Sequence, residues 1–109
     1  MNDSPQMLVV FSTFPDAEAA REVARTLVQE HLAACAQVLS APIRSFYSWE
    51  GRVRDDEETL VLLKTSAERW EELRGRLQVL HPYEVPQIVA CPAQASDSYL
   101  QWLLGNCSS

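Results

Sequence analysis

A chain of 109 residues has room for one domain and not comfortably for two. At that length about 65% of the unfolded surface is buried on folding, enough for a core without disulfide staples. Apolar residues make up 47% and charged residues 22%, with a net charge of −6, so nucleic acid and anionic lipid are repelled unless cations cluster. They do not: the nine Lys and Arg alternate with acids, as in Glu68-Arg69 and Glu71-Glu72-Leu73-Arg74.

Residues 1–6 hold no basic cluster ahead of an apolar stretch and read as a disordered lead-in rather than a secretory signal. Met7-Leu8-Val9-Val10-Phe11-Ser12-Thr13 is a run rich in β-branched residues, the mark of a central strand. Its apolar part, Met7 to Phe11, and Leu60–Leu63 are both far too short to cross a bilayer. Phe14-Pro15 stops the strand, and Asp16 is placed to cap a helix with Glu18 in its first turn. Ala17, Ala20, Ala24, Leu27, Val28 and His31 recur at helical spacing, predicting an amphipathic helix of about four turns.

Beyond Ala34 the pattern turns to strand. Pro42 interrupts it, but Ile43 to Trp49 is dense in good strand formers. Glu50-Gly51 offers a two-residue turn, and Arg52 to Thr65 returns as the second arm of a long hairpin. Ser66 is expected to cap a helix whose inner face is Ala67, Trp70, Leu73, Leu77 and Leu80, ended by His81-Pro82. Val85 to Cys91 reads as the last strand, between Pro86 and Pro92, and Ser96 or Asp97 opens a short final helix with Tyr99, Leu100, Trp102 and Leu103.

The order β-α-β-β-α-β, plus a C-terminal helix, predicts an α+β ferredoxin-like split βαβ sandwich: a four-stranded antiparallel sheet with both main helices on one face. The single domain is expected over residues 7–105, with 106–109 a tail. The hairpin around Glu50-Gly51 is longer than its neighbouring strands, so its tip should project. Such a ribbon exposes Phe46, Tyr47 and Trp49, and burying it against another subunit is the simplest remedy. The alternative is that these aromatics pack under the final helix of the same chain. Three cysteines with no Cys-x-x-Cys spacing point to reduced thiols and a cytoplasmic setting. Cys35 reads as a small buried hydrophobe and Cys107 as an incidental thiol in a polar tail.

Four segments then come together in order: Glu30-His31-Leu32-Ala33-Ala34-Cys35, Tyr47-Ser48-Trp49-Glu50-Gly51, Leu63-Lys64-Thr65 and His81-Pro82-Tyr83-Glu84-Val85-Pro86, with a late Tyr99-Leu100-x-Trp102. With this spacing the chain resembles the CutA family of divalent-cation tolerance proteins over residues 8 to about 104. The resemblance implies a ferredoxin-like fold, a tight homotrimer like that of the PII signalling proteins, and a link to copper and other divalent ions. The copper positions it implies are a cysteine ending the first strand, the histidine of His-Pro-Tyr and a glutamate after the second proline. Here they are Ser12, His81 and Gln87. A hydroxyl and a neutral amide are poor replacements for thiolate and carboxylate, so only weak Cu(II) or other divalent-ion binding is expected, and no cofactor is required.

The residues themselves leave several readings open. His81 could ligate a metal, with Glu84 lending an oxygen, or could bond the last helix carbonyls. Lys64 could meet an anionic ligand in a subunit cleft with Trp49 and Tyr83, or could be a snorkelling lysine paired with Glu50 or Asp55. His31 reads as a helix cap, and Asp55-Asp56-Glu57-Glu58 as a solvated turn lacking the spacing of a calcium loop. For enzymes, no nucleophile elbow and no anion-cradling loop is present, leaving only acid–base work by His81, Tyr83 and Glu84. An RNA-recognition reading fails on Leu60-Val61-Leu62-Leu63 and the acidic charge. Three functions therefore stand in order: a non-enzymatic homotrimer in divalent-metal tolerance, a PII-like sensor of a small anionic metabolite, and an enzyme centred on His81 and Glu84.

Overall fold

The computed structural model describes residues 6–108; the expected lead-in over residues 1–6 lies, Gln6 apart, outside them. The elements are β1 (Met7–Phe14), α1 (Ala17–Gln29), β2 (Cys35–Val38), β3 (Ile43–Trp49), β4 (Arg52–Ser66), α2 (Trp70–Leu80), β5 (Val89–Ala93) and α3 (Asp97–Asn106). The antiparallel sheet runs β2-β4-β1-β5, and β3 pairs with the far half of β4. This is the expected α+β, ferredoxin-like arrangement.

Strand alternation assigns the two faces. Val10 and Phe14 of β1, opposite Leu63 and Thr59 of β4, point to one face. There they join Ala20, Val23, Ala24 and Leu27 of α1 and Leu73 and Leu77 of α2 in the main core. Val9, Phe11 and Thr13, opposite Lys64, Leu62 and Leu60, point to the other face. Among the described residues only one end of that face is covered: Leu103 of α3 and Cys107 pack with Met7 and Ala34, against Val9 and Tyr99.

Local signals explain the ends of α1. The Asp16 carboxylate accepts from Ala19 N at 2.8 Å. At the other end His31 takes a left-handed conformation, φ 60°, and Leu32 N bonds Leu27 O while His31 N bonds Val28 O. This double bond is the Schellman stop, with histidine where glycine usually sits.

Four expectations need correction. The second strand is broken: Val38 faces Val61 but Ile43 faces Glu58, so residues 39–42 lie opposite residues 59–60. Pro42 cannot donate to the ladder, and the surplus residues form a bulge that lets the ribbon bend away from the sheet. The helix after Ser66 starts only at Trp70; the Ser66 hydroxyl accepts from Arg69 N at 3.2 Å in an intervening turn, leaving Ala67 exposed. The last strand covers Val89–Ala93 rather than Val85–Cys91, with Pro92 inside it, tolerated because β5 is an edge. Finally, α3 continues through Asn106, and Cys107 is fully buried, its thiol donating to Leu103 O at 3.1 Å, so it anchors the helix instead of lying in a tail.

The ribbon of β3 and β4 projects as expected, and its tip turn has φ 51° at Glu50 and φ 76° at Gly51. Its aromatics do not pack under α3: Phe46 is 68% exposed, and Tyr47 and Trp49 are each 40% exposed.

Candidate functional site

The site lies where the ribbon joins the sheet. Alternation along β4 puts Glu58 on the face of Leu60 and Leu62, beside the bulge, with 8% of its surface exposed. A carboxylate so buried needs a donor, and Tyr83 supplies one: its phenol donates to Glu58 Oε2 at 2.7 Å. Burial, then that carboxylate, push the Tyr83 phenol well above its ordinary value.

His81 sits behind this pair, 7% exposed, with its ring stacked 4.3 Å from that of Phe14. Its Nε2 is 2.9 Å from Thr13 O, which can only accept, so Nε2 carries the hydrogen. Nδ1 is then free to accept the Tyr83 amide at 3.1 Å. Both ring nitrogens are thereby engaged in the neutral form. Burial holds the His81 pKa below its ordinary value, although the Thr13 carbonyl and Glu58 pull the other way.

In front of Glu58 opens a cleft of about 460 Å³, within the range that holds small molecules. The ribbon contributes Phe46, Tyr47, Trp49 and Arg54; the segment after α2 contributes Tyr83, Glu84 and Gln87. That segment reaches the cleft because Val85 to Gln87 do not extend β5.

Trp49, Tyr83, Glu84 and Gln87 therefore share one cleft, with His81 directly behind Tyr83. Lys64 is elsewhere, at the end of the sheet face that α3 covers, with its Nζ 5.5 Å from the centre of the Tyr99 ring. Ser12 alternates with Val10 and Phe14 and points into the helix-covered core, fully buried, its hydroxyl without a hydrogen-bond partner among the described residues. His31 is exposed at the end of α1. Cys35, Lys64, Val9 and Cys91 form one row across the sheet. That row lies four residues along β1 from Thr13, about 13 Å at strand spacing, so neither thiol reaches His81. Among the described residues no group of three or more His, Cys, Asp and Glu side chains is placed to hold a metal ion.

The run Asp55 to Glu58 is not one solvated turn. It is strand, and alternation splits it: Asp55 pairs with Arg44 at 2.7 Å, Asp56 accepts from the Tyr47 phenol, and Glu58 turns inward. Counting back by twos from Leu62 and Leu60 is the signal that finds Glu58 in the sequence. Arg54 and Thr13, also in the cleft, carry no comparable signal.

Residues 8–106 match the family described as CutA1 divalent ion tolerance protein. The chain belongs to that family. The divalent-cation tolerance protein CutA of Pyrococcus horikoshii is 43% identical over 99 residues, covering 90% of this chain and 95% of the relative. The solved structure of the divalent cation tolerance protein of Thermus thermophilus superposes with a TM-score of 0.89 at 43% identity, over 94% of this chain and 99% of that one. The protein from a psychrotrophic Shewanella superposes with a TM-score of 0.91 at 33% identity, over 97% and 99%. Relatives carry names from different compartments: one of Arabidopsis thaliana is called chloroplastic, one of Archaeoglobus fulgidus periplasmic. In this chain no described helix is long and apolar enough to cross a membrane.

Proposed function

We propose that this chain acts without catalysis, as a homotrimer serving divalent-cation tolerance, with only weak ion binding of its own. The ribbon carries this reading. Phe46 and Val53 are 68% and 75% exposed on an arm that no other described residues cover, and half-exposed Phe11 and Leu62 lie on the uncovered part of the sheet. A further copy closing over both would bury them. The relatives' shared name, divalent-cation tolerance protein, supports the biological role.

Weak ion binding follows from the donors. Ligation through His81, with Glu84 lending an oxygen, requires the ring to release the Tyr83 amide, while Ser12 faces the core and Gln87 is neutral. The same commitment of both nitrogens counts against an enzyme centred on His81 and Glu84. A PII-like sensor keeps support from Trp49 and Tyr83 sharing a cleft, but Lys64, its cation, lies on another part of the sheet. Three free thiols support a reducing compartment such as the cytoplasm.

Sedimentation equilibrium at micromolar concentration tests the assembly. The native chain is expected at three times its monomer mass, and Phe46→Asp with Val53→Asp at one; a native monomer overturns the reading. Titration with Cu(II) should give no saturable site that His81→Ala removes.

A further inference from the structure

We propose that the outer edge of β2, with the groove between it and α1, is a docking site for an extended acidic peptide segment of a partner protein, added to the sheet as a further strand. The backbone carries the first half of the case. Leu39 N bonds Leu60 O at 3.0 Å, and these two residues are opposite in the register of β2 on β4. Bonding alternates along an antiparallel pair, so Cys35 and Gln37 also turn their amides and carbonyls to β4. Those of Ala36 and Val38 then face outward, and among the described residues β2 pairs with β4 alone. The strand Cys35-Ala36-Gln37-Val38 has none of the charges or prolines that commonly blunt an edge.

The groove carries the second half. Ala36 and Val38 lie opposite Leu63 and Val61, so their side chains turn to the helix-covered face and pack at the margin of the main core. With Ala24 and Val28 of α1 they make an apolar floor, and the groove holds about 780 Å³. A strand bonded to Ala36 and Val38 places the side chains of its two bonded residues on that same face, in the groove.

The wall selects their charge. Five of the nine Lys and Arg are held by carboxylates: Arg44, Arg54, Arg69, Arg74 and Arg76. Of the others, Arg52 stands at the ribbon tip and Lys64 beside Tyr99. Arg21 and Arg25 line the groove one helical turn apart, and neither forms an ion pair among the described residues. Glu22 shares that wall, so two guanidiniums face one carboxylate on a chain whose net charge is −6. An acidic side chain on the added strand meets both guanidiniums, and a basic one is repelled.

The further copy proposed above covers the ribbon and the sheet face opposite the helices. This groove is on the helix side and no ribbon residue lines it, so covering those surfaces leaves it open. The competing occupant of the edge is a neighbouring copy of the chain, and the experiment separates the two.

The probe is the capped peptide acetyl-Thr-Val-Thr-Glu-Thr-amide, whose valine and glutamate fall on one face of a strand. It is titrated into the full chain, as it assembles, and followed by NMR of the backbone amides. Saturating shifts are expected at Ala36 and Val38 and along Arg21 to Gln29. Glutamine for the peptide's glutamate, or Arg25→Gln in the chain, should weaken binding by about threefold, the scale of an exposed ion pair. Ala36→Pro removes an outward amide and keeps the bonds to β4, and should weaken binding by about tenfold. Absence of saturating shifts at Ala36 and Val38, binding indifferent to the glutamate, or undiminished binding to Ala36→Pro overturns the proposal. So does Ala36→Pro sedimenting at a smaller mass than the native chain, which would give the edge to a neighbouring copy.

Discussion

Strand β4 is one continuous stretch of chain with two fates. From Thr59 to Ser66 its alternate residues Val61, Leu63 and Thr65 are 0–1% exposed against the helices. From Arg52 to Glu57 every residue but Asp56 is exposed, and the ribbon is laced by side-chain pairs such as Arg44 with Asp55. Exposed ion pairs contribute about 0–1 kcal/mol each, whereas a fully buried Leu or Val contributes about 1.5–3 kcal/mol. The near half therefore stabilises the single chain, and the far half becomes valuable only when something covers it. Glu58 sits at the junction, the one acid of the run drawn into the interior.

The largest effects should fall in the near half. Leu63→Ala or Leu77→Ala, both at fully buried core positions, should lower unfolding free energy by about 3–4 kcal/mol in urea titrations. Val53→Ala in the ribbon should change single-chain stability by less than about 0.5 kcal/mol, while shifting the sedimentation equilibrium toward smaller species. Equal costs at Leu63 and Val53 under dissociating conditions would break the contrast.

The junction should respond at an intermediate level. Tyr83→Phe leaves the Glu58 carboxylate buried without its phenol donor, which should cost about 1–3 kcal/mol. It should also change the alkaline limb. The Tyr83 pKa is raised in the fold, so the unfolded chain loses its proton first above the ordinary value of 10.0, and stability falls as pH rises from there. Removing the phenol should flatten that fall in urea midpoints measured across alkaline pH.

On the acid side His81 acts with the opposite sign of slope. Its folded pKa lies below the ordinary 6.5, chiefly through burial, so the unfolded chain takes up a proton first as pH falls. The stability associated with the neutral ring is complete above that value and is lost as pH drops from it toward the folded pKa. Urea midpoints at about pH 8 and about pH 5 should differ more in the native chain than in His81→Phe. A slope unaltered by the substitution would place the acid sensitivity on carboxylates elsewhere.

Much of this was legible where one local rule acted alone. The alanine and leucine stripe of α1, the Asp16 cap and the Glu50-Gly51 turn are decided within a few residues of sequence, and so were their positions. Errors arose where distant partners decide. Pro42 announced an interruption, but only pairing with β4 reveals how many residues the bulge absorbs. Glu58 was hidden in a run of acids whose polarity masked the strand parity. Cys107 follows Gly105 and Asn106, a polar setting that gave no hint of the core behind it. For His81 the sequence indicated a chemically able residue; that both nitrogens are engaged depends on Thr13, 68 residues away.

The smallest expected effect probes the end of α1, far from the ribbon. His31 holds φ 60°, where the side-chain Cβ crowds the following carbonyl, a cost of about 1 kcal/mol relative to glycine. The backbone bonds of the Schellman stop do not involve the imidazole, and the side chain is exposed. Glycine keeps those bonds and removes the crowding, at the expense of greater freedom in the unfolded chain. His31→Gly should therefore raise the urea midpoint only slightly, by about 0.5 kcal/mol or less in free energy. Because this site feeds only the helix-covered core, the gain should appear equally in assembled and dissociated protein. A gain confined to the assembled form would mean that the end of α1 belongs, with the ribbon, to the part of the molecule that another copy completes.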